Sequence, residues 1–470
     1  MATHPAGPRS GALQHAPSLG NQPNDLNQLD PAVWPASATR AANGEIQIAG
    51  VGISALAEQY GTPLFIMDEV DVRTRARNYV AAYDTTEMPA DVYYAGKAFL
   101  TTTLAKWLTE EGLHIDVCTA GELEVALRAG VDPAKILFHG NNKSVAELEK
   151  AVDAGVGRIV IDSLIEIERL NKVAALRGVT QQVFIRLTVG VEAHTHEFIA
   201  TAHEDQKFGL SVSSGAALAA AEAVIAAEAL SLVGLHSHIG SQIFDAAGFE
   251  VAAHRVVDMA AKIRDEFDFT VTELNLGGGM GIAYVEGDDP INVNHMAKAI
   301  HDIVITECAR VHLPVPKLCV EPGRAIVGGT AITVYEVGTV KPVDVDGGNI
   351  RHYLSVDGGM SDNIRTALYD AEYTVALASR STDSVAAVSR VVGKHCESGD
   401  IVVRDAWLPA DVAPGDFLAV AATGAYCRAM ASNYNYLPRP AVVSVRDGQS
   451  QVLLRRETMD DLLALDPGAL

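Results

Sequence analysis

The stretch Val92–Thr103, VYYAGKAFLTTT, decides how the rest of the chain is organised. A run of β-branched and aromatic residues, typical of a buried strand, ends at Ala95–Gly96. Lys97 follows at once, and a helical pattern begins at Thr101. A primary amine therefore stands directly after a strand, where small residues let another group approach the backbone. On its own the pattern fits a surface lysine better than a reactive one, because reactive lysines are rare.

The strand pattern at Val92 is the first of a long alternation of strands and helices. Many of the intervening helical patterns end at glycine, as helix C-termini prefer. Eight strands alternating with helices predict a (β/α)8 barrel rather than a doubly wound sheet. The eight strand-like runs are VYYA at 92, HIDV at 114, ILFHG at 136, RIVID at 158, VFIRL at 183, LVGLHSH at 232, ELNLG at 273 and LCVE at 318.

The pattern changes after Arg324, where short strands separated by Gly, Pro and Asp turns predict an antiparallel β-barrel or β-sandwich domain. We expect the N-terminal strand EIQIAGV, residues 45–51, to join this domain. The predicted organisation is a disordered tail over 1–30, an N-terminal segment of the β domain over 31–66, the barrel over 67–324 and the β domain over 325–470.

The composition of the chain argues against several classes of partner and site. The chain has 470 residues and a net charge of −23, which argues against nucleic acid or an anionic membrane as a partner. The five cysteines show no CxxC spacing, so we expect reduced thiols in a cytoplasmic protein and no metal site. No apolar run is long enough to span a bilayer, and the first thirty residues lack the apolar core of a signal peptide.

Barrels of this type carry their chemistry at the carboxyl ends of the strands. Polar, basic and glycine residues follow the predicted strands here, namely Lys97, His238, Ser241, Gly277–Gly279, Glu321 and Arg324. Each has an ordinary structural explanation when taken alone. Together, an amine, a glycine anion nest, an arginine and a carboxylate that holds a pyridine nitrogen protonated are the parts of a pyridoxal-phosphate site. The barrel is therefore predicted to bind pyridoxal 5'-phosphate.

The motifs also carry a family resemblance, from about residue 45 to the end of the chain. The chain resembles the alanine-racemase-like, or fold type III, pyridoxal-phosphate enzymes, and within them the diaminopimelate decarboxylases. The matching motifs are YAGKA around Lys97, HIGSQ at 238–242, GGG at 277–279, EPGR at 321–324, DGGMSDNIRTALY at 357–369, CESGD at 396–400 and GAY at 424–426.

The resemblance implies roles for individual residues. Lys97 would form the Schiff base with the cofactor, with Cys396, Glu321 and His238 as the other catalytic residues. The implied cofactor-binding set is Lys97, His238, Ser241, Gly278, Gly279, Glu321, Pro322, Gly323, Arg324 and Tyr426. The implied substrate-binding set is Arg324, Arg365, Tyr369, Glu397 and Tyr426.

The resemblance further implies decarboxylation of meso-2,6-diaminopimelate to L-lysine and CO2, the last step of lysine biosynthesis. Either Cys396 or Lys97 would deliver the final proton. In the family the cysteine–glutamate pair reaches the site from the partner subunit, so a homodimer with shared sites is expected. The alternatives are an ornithine- or arginine-type decarboxylase, an amino-acid racemase on the same fold, and a pyridoxal-phosphate-binding regulator without catalysis.

Overall fold

The computed structural model describes residues 22–86, 88–190, 206–345 and 349–469. The described chain divides into two compact units. A barrel unit comprises Arg73–Ile282 and Asp289–Ile326, and a β unit comprises the rest. Residues 1–21 of the predicted tail lie outside the described residues. Within its described part, the Asn27 side-chain amide donates to the carbonyl of Thr382 at 2.9 Å and accepts from the Thr382 N–H at 3.1 Å.

The barrel unit contains the eight predicted parallel strands, and the predicted fold class is confirmed. Each strand pairs with the next, and the eighth pairs with the first in the register Val320 to Val92, which closes the barrel. A two-residue strand, Leu210–Ser211, lies beside the fifth. The barrel strands are Ala90–Ala95, His114–Val117, Ile136–Phe138, Arg158–Ile161, Gln181–Thr188, Leu230–Ser237, Glu273–Asn275 and Lys317–Val320.

Helices connect the barrel strands, and their ends follow the sequence signals. The Thr101 hydroxyl accepts from the Leu104 N–H, and Ser144 forms a reciprocal capping box with Glu147. The helices that lie wholly or partly in this unit are Glu69–Tyr83, Thr102–Glu110, Ala120–Arg128, Val145–Ala154, Leu164–Arg177, Ala216–Ile225, Ala247–Phe267, Val293–Arg310 and Arg324–Val327. None of the helices in the described chain is long and apolar enough to cross a bilayer.

The barrel interior is filled with side chains. A buried cluster takes one residue from each of six strands, namely Tyr93, Leu137, Val160, Phe184, Val233 and Cys319. Burying one large apolar side chain contributes about 1.5–3 kcal/mol, so this layer stabilises the barrel. Polar groups on the strands are therefore accommodated beyond this layer, toward the strand ends.

The β unit holds two sheets. A small sheet contains Thr39–Arg40, Ile46–Ile48 and Val51–Gly52. The larger, nine-stranded sheet contains Leu64–Asp68, Ala331–Asp344, Ile350–Val356, Val375–Leu377, Ala386–Val392, Ile401–Pro409, Phe417–Val420, Ala441–Arg446 and Gln449–Leu454. The helices of this unit are Ile53–Tyr60, Arg365–Tyr369 and Met459–Leu463. Most pairs in the larger sheet are antiparallel, but two are parallel, so the sheet is mixed.

The run EIQIAGV lies in the β unit, as expected, but it belongs to the small sheet and not to the larger one. The run EIQIAGV turns back on itself at Ala49 and Gly50, which have φ of 50° and 78°, and stays in the small sheet. Leu64–Asp68 lies in the larger sheet instead, antiparallel to Ala331–Asp344 and parallel to Ala441–Arg446. All five of its residues are buried, as an interior strand requires.

Candidate active site

Lys97 lies in a single helical turn, Gly96–Ala98, directly after the first barrel strand. Its side chain is exposed. Burial raises the pKa of Asp116 to about 7 and lowers the pKa of His238 well below its ordinary value. The positive charge of Lys97 lowers both pKa values, so the ammonium lies within electrostatic range of these two side chains. The amine thus stands at the carboxyl end of the barrel, as the sequence predicts.

Glu321 follows the eighth strand and is the centre of a buried hydrogen-bond network. Its Oε1 lies 2.8 Å from Nε2 of His139 and 2.8 Å from Nδ2 of Asn275. Its Oε2 lies 3.3 Å from Nε2 of His236. The Asn275 amide is oriented by its own oxygen, which accepts from the Gly277 N–H at 2.8 Å. Three donors from three different strand ends therefore converge on one carboxylate.

The charge state of Glu321 follows from these contacts. Burial alone would raise its pKa, but the two histidines and their hydrogen bonds outweigh burial and hold the pKa well below its usual range. An ionised carboxylate only accepts hydrogen bonds, so Nε2 of both histidines carries the proton. Burial lowers the pKa of His236 to about 4, despite the opposing charge of Glu321, so this ring is neutral at neutral pH.

His238 and Ser241 lie in the segment after the sixth strand. Nδ1 of His238 accepts from the Gly278 N–H at 3.4 Å, which orients the imidazole. Burial lowers the pKa of His238 well below its ordinary value, so the ring is neutral. The Ser241 hydroxyl accepts from Nη2 of Arg324 at 2.8 Å, which places a cation and a hydroxyl side by side. Such a pair is suited to an anion.

The glycine loop after the seventh strand lies against two neighbouring segments. A Cβ on Gly278 would collide with the carbonyl oxygen of Glu321, and one on Gly279 would collide with the carbonyl oxygen of Gly240. Gly279 also has a φ of +109°, which side-chain-bearing residues rarely adopt. Glycine is therefore required at both positions, and bare backbone is presented close to Ser241. This cradle fits a phosphate group.

Pro322 and Gly323 connect the Glu321 segment to the strand that precedes Lys97. The Pro322 carbonyl accepts from the Ala95 N–H at 3.2 Å. A Cβ on Gly323 would lie 2.9 Å from the Cβ of Ala95. The eighth strand end is therefore packed directly against the first.

The β unit carries the other predicted site residues, beginning with Arg365 and Tyr369. Arg365 is buried, and its guanidinium carbon lies 4.9 Å from the ring centre of Tyr284 and 5.6 Å from that of Tyr373. Its Nη1 donates to the Tyr373 hydroxyl at 2.5 Å. Tyr369, on the same short helix, is 62% exposed. The arginine is thus held rigidly while the tyrosine remains accessible.

Cys396 and Glu397 lie on a turn that Asp400 fastens. The Asp400 carboxylate accepts from the N–H groups of Met360 at 2.6 Å and His395 at 2.8 Å. Cys396 is exposed, and Glu397 is half-buried. This arrangement presents a thiol on a braced loop.

Tyr426 also lies in the β unit, with a φ of +60°. This left-handed conformation is uncommon for a bulky residue, and strain of this kind clusters at functional sites.

The structure therefore brings together nine predicted residues in the barrel unit: Lys97, His238, Ser241, Gly278, Gly279, Glu321, Pro322, Gly323 and Arg324. Arg365, Tyr369, Cys396, Glu397 and Tyr426 belong to the β unit. The sequence-based set missed His139, His236, Asn275 and Asp116. A signal existed for the two histidines and the asparagine, because each stands at the carboxyl end of a barrel strand.

Comparisons with known proteins agree with this geometry. Residues 69–328 match the family model "Pyridoxal-dependent decarboxylase, pyridoxal binding domain". The chain is 58% identical to a diaminopimelate decarboxylase of Mycobacterium leprae (strain TN), over 99% of this chain and 100% of the relative. It is 43% identical to that of Bacillus subtilis (strain 168), over 90% and 95%.

A solved structure shows the same likeness. The chain superimposes with a TM-score of 0.85 on the diaminopimelate decarboxylase of M. jannaschii in co-complex with L-lysine, at 31% identity, covering 92% of this chain and 99% of that one. The resemblance inferred from the motifs is confirmed. The chain belongs to the pyridoxal-dependent decarboxylases, in the diaminopimelate decarboxylase family.

Proposed function

We propose that this chain decarboxylates meso-2,6-diaminopimelate to L-lysine and CO2 with pyridoxal 5'-phosphate, as the last step of lysine biosynthesis. The observation that carries the proposal is the buried Glu321 carboxylate, held ionised by His139, His236 and Asn275 beside a glycine cradle. The full-length likeness to named diaminopimelate decarboxylases supports it.

The residues of the barrel fit the cofactor. The Lys97 amine would hold it covalently, and the backbone at Gly278 and Gly279 with Ser241 and Arg324 would hold its phosphate. His238 and Glu321 would contact the ring, and Glu321 would stabilise its protonated nitrogen. When bound, the cofactor supplies an electron sink for the carbanion that remains when carbon dioxide leaves.

The chain's own groups position the reaction and move its protons. An ionised Glu321 would favour a proton on the ring nitrogen, because the low dielectric around it strengthens the attraction between the two charges. With the cofactor bound, the Lys97 amine would accept and return a proton at Nζ. The Cys396 thiol, on a loop that Asp400 braces, supplies the final proton, and Lys97 is the alternative donor.

The distal end of the substrate carries both an ammonium and a carboxylate. We assign the carboxylate to Arg324 and Arg365 and the ammonium to Glu397, with Tyr369 and Tyr426 as further contacts. Arg365 is clamped by Tyr284 and Tyr373, which suits fixed recognition of a carboxylate. Ornithine and arginine carry a second cation at this end, so a distal arginine disfavours them.

We further propose a homodimer in which Cys396 and Glu397 of one subunit complete the site of the other, in the cytoplasm. The test of the function is direct. Purified protein with pyridoxal phosphate is given meso-diaminopimelate, ornithine, arginine or lysine, and carbon dioxide and the amine product are measured. Release from meso-diaminopimelate alone supports the proposal. Release from ornithine or arginine supports the alternative decarboxylase, and a protein that binds cofactor but releases no carbon dioxide is a regulator.

A further inference from the structure

Lys143 is a buried lysine outside the predicted site, with 3% of its surface exposed. Its Nζ donates to the carbonyl oxygens of Gly140 at 2.6 Å and Val160 at 2.7 Å. The same ammonium lies 2.6 Å from Oε1 of Glu166. The ammonium therefore contacts three oxygens, which come from the third strand end, the fourth strand and the following helix.

Glu166 links Lys143 to the backbone just after the fourth strand. Its second carboxylate oxygen accepts from the Asp162 N–H at 3.0 Å, just after the fourth strand. A buried ion pair of this kind is weak evidence for stability, because replacing it by apolar residues of similar volume is often neutral or stabilising. Its presence at the carboxyl rim of the barrel therefore calls for another explanation.

That explanation lies in His139, the residue before Gly140. The His139 N–H donates to the carbonyl of Val117 at 2.7 Å, so the second strand fixes one side of this segment. Lys143 fixes the other side by holding the Gly140 carbonyl, at a glycine whose φ is +125°. The imidazole between these anchors donates from Nε2 to Glu321 at 2.8 Å.

We propose that the Lys143–Glu166 pair is a positioning device that holds His139 in the orientation in which it donates to Glu321. Neither residue of the pair is among those to which we assign contact with the cofactor or the substrate. The proposal rests on the proposed function only in taking Glu321 as the partner of the cofactor ring. Loosening Gly140 removes a fixed donor from Glu321 and weakens its hold on the ring nitrogen.

The test uses the full-length protein with four sets of variants. Lys143→Met leaves Glu166 buried without its cation, so this variant risks misfolding. The double variant Lys143→Met/Glu166→Gln removes both charges. The amide oxygen of the new glutamine can still accept from the Asp162 N–H, but the Gly140 carbonyl loses the donor that Lys143 supplied. The matched control is Lys150→Met, which breaks an equally short pair, 2.6 Å to Glu124, on the neighbouring helix Val145–Ala154.

The measurements are the visible spectrum of the bound cofactor, the dissociation constant for pyridoxal phosphate, and kcat and KM for meso-diaminopimelate. For the double variant we expect a shifted absorbance maximum, roughly tenfold weaker cofactor binding and a roughly tenfold lower kcat at similar KM, as for loss of one hydrogen bond to a charged group. Lys150→Met is expected to behave as wild type in all four measurements.

The last variant separates positioning from general support. His139→Gln is measured alone and in combination with the double variant. If the pair acts through His139, the combined variant loses no more cofactor affinity and kcat than His139→Gln alone. Additive losses would overturn the proposal, as would a double variant with wild-type spectrum and cofactor affinity. These two binding readouts need no turnover, so they remain decisive even if the wild-type protein releases no carbon dioxide and the proposed function fails.

Discussion

Oε1 of Glu321 lies 2.8 Å from Nε2 of His139, although the two residues are 182 positions apart in the chain. Closure of the barrel brings the ends of the third and eighth strands to the same rim. Burial alone would raise the pKa of this carboxyl group, but this contact and the one with His236 hold the pKa well below its usual range. The chemistry that we propose depends on the charge of this carboxylate.

Glu321→Gln removes the charge and keeps the shape. We expect kcat to fall by about 10²–10³-fold, the usual cost of losing one preorganised electrostatic contact, while the cofactor remains bound. Steady-state kinetics and the visible spectrum of the bound cofactor check this. Wild-type kcat in a variant that binds cofactor normally would show that the ring nitrogen does not need this carboxylate.

Lys97→Ala removes the amine that holds the cofactor. Turnover should be abolished, and the visible absorbance of the covalently held cofactor should disappear, because no other residue is proposed to bond it. The control is Lys106→Ala, an exposed lysine on the next helix, whose side chain is 66% exposed. Unchanged absorbance in Lys97→Ala would remove this lysine from the mechanism.

Cys396→Ala removes the proposed proton donor. A general acid contributes typically about 10²–10⁴-fold, so we expect kcat to fall by that order with cofactor affinity unchanged. The control is Cys308→Ala, which changes a buried thiol on the helix Val293–Arg310. If Cys396→Ala turns over at the wild-type rate, the proton comes from elsewhere, with Lys97 as the first candidate.

The buried His236 makes the free energy of unfolding depend on pH. Burial lowers its folded-state pKa to about 4, below the ordinary 6.5, so its contribution to stability is present above pH 6.5 and is lost as pH falls toward 4. The loss amounts to about 3 kcal/mol at most. Denaturant unfolding of the cofactor-free protein at pH 7, 5.5 and 4 measures it.

His236→Gln should show a smaller decline in unfolding free energy over that pH range than wild type. The exposed His254, changed in the same way, is the control and should keep the full decline. Identical pH dependence in wild type and His236→Gln would contradict the assignment.

The fold was predictable where its signals are local. Eight apolar runs, each followed by a helical pattern, define the barrel without knowledge of pairing. The partner of an isolated N-terminal strand is not a local property. The run EIQIAGV joins the β unit as expected, but the turn at Ala49 and Gly50 keeps it in a separate small sheet, and the fully buried Leu64–Asp68 is the N-terminal strand in the larger sheet.

The site residues were likewise predictable where their signals are local. Lys97 and Glu321 follow strands, and the surrounding motifs resemble a known family. The hydrogen bonds from His139, His236 and Asn275 to Glu321 depend on the closure and register of the barrel, which no local pattern states. The contact within the Lys143–Glu166 pair depends on the same register.

The central claim is the reaction itself. Purified full-length protein, supplied with pyridoxal phosphate and meso-diaminopimelate, should release carbon dioxide and L-lysine in equal amounts, and Lys97→Ala should release neither. A protein that binds the cofactor but forms no lysine, or that forms a diamine from ornithine or arginine instead, would contradict it.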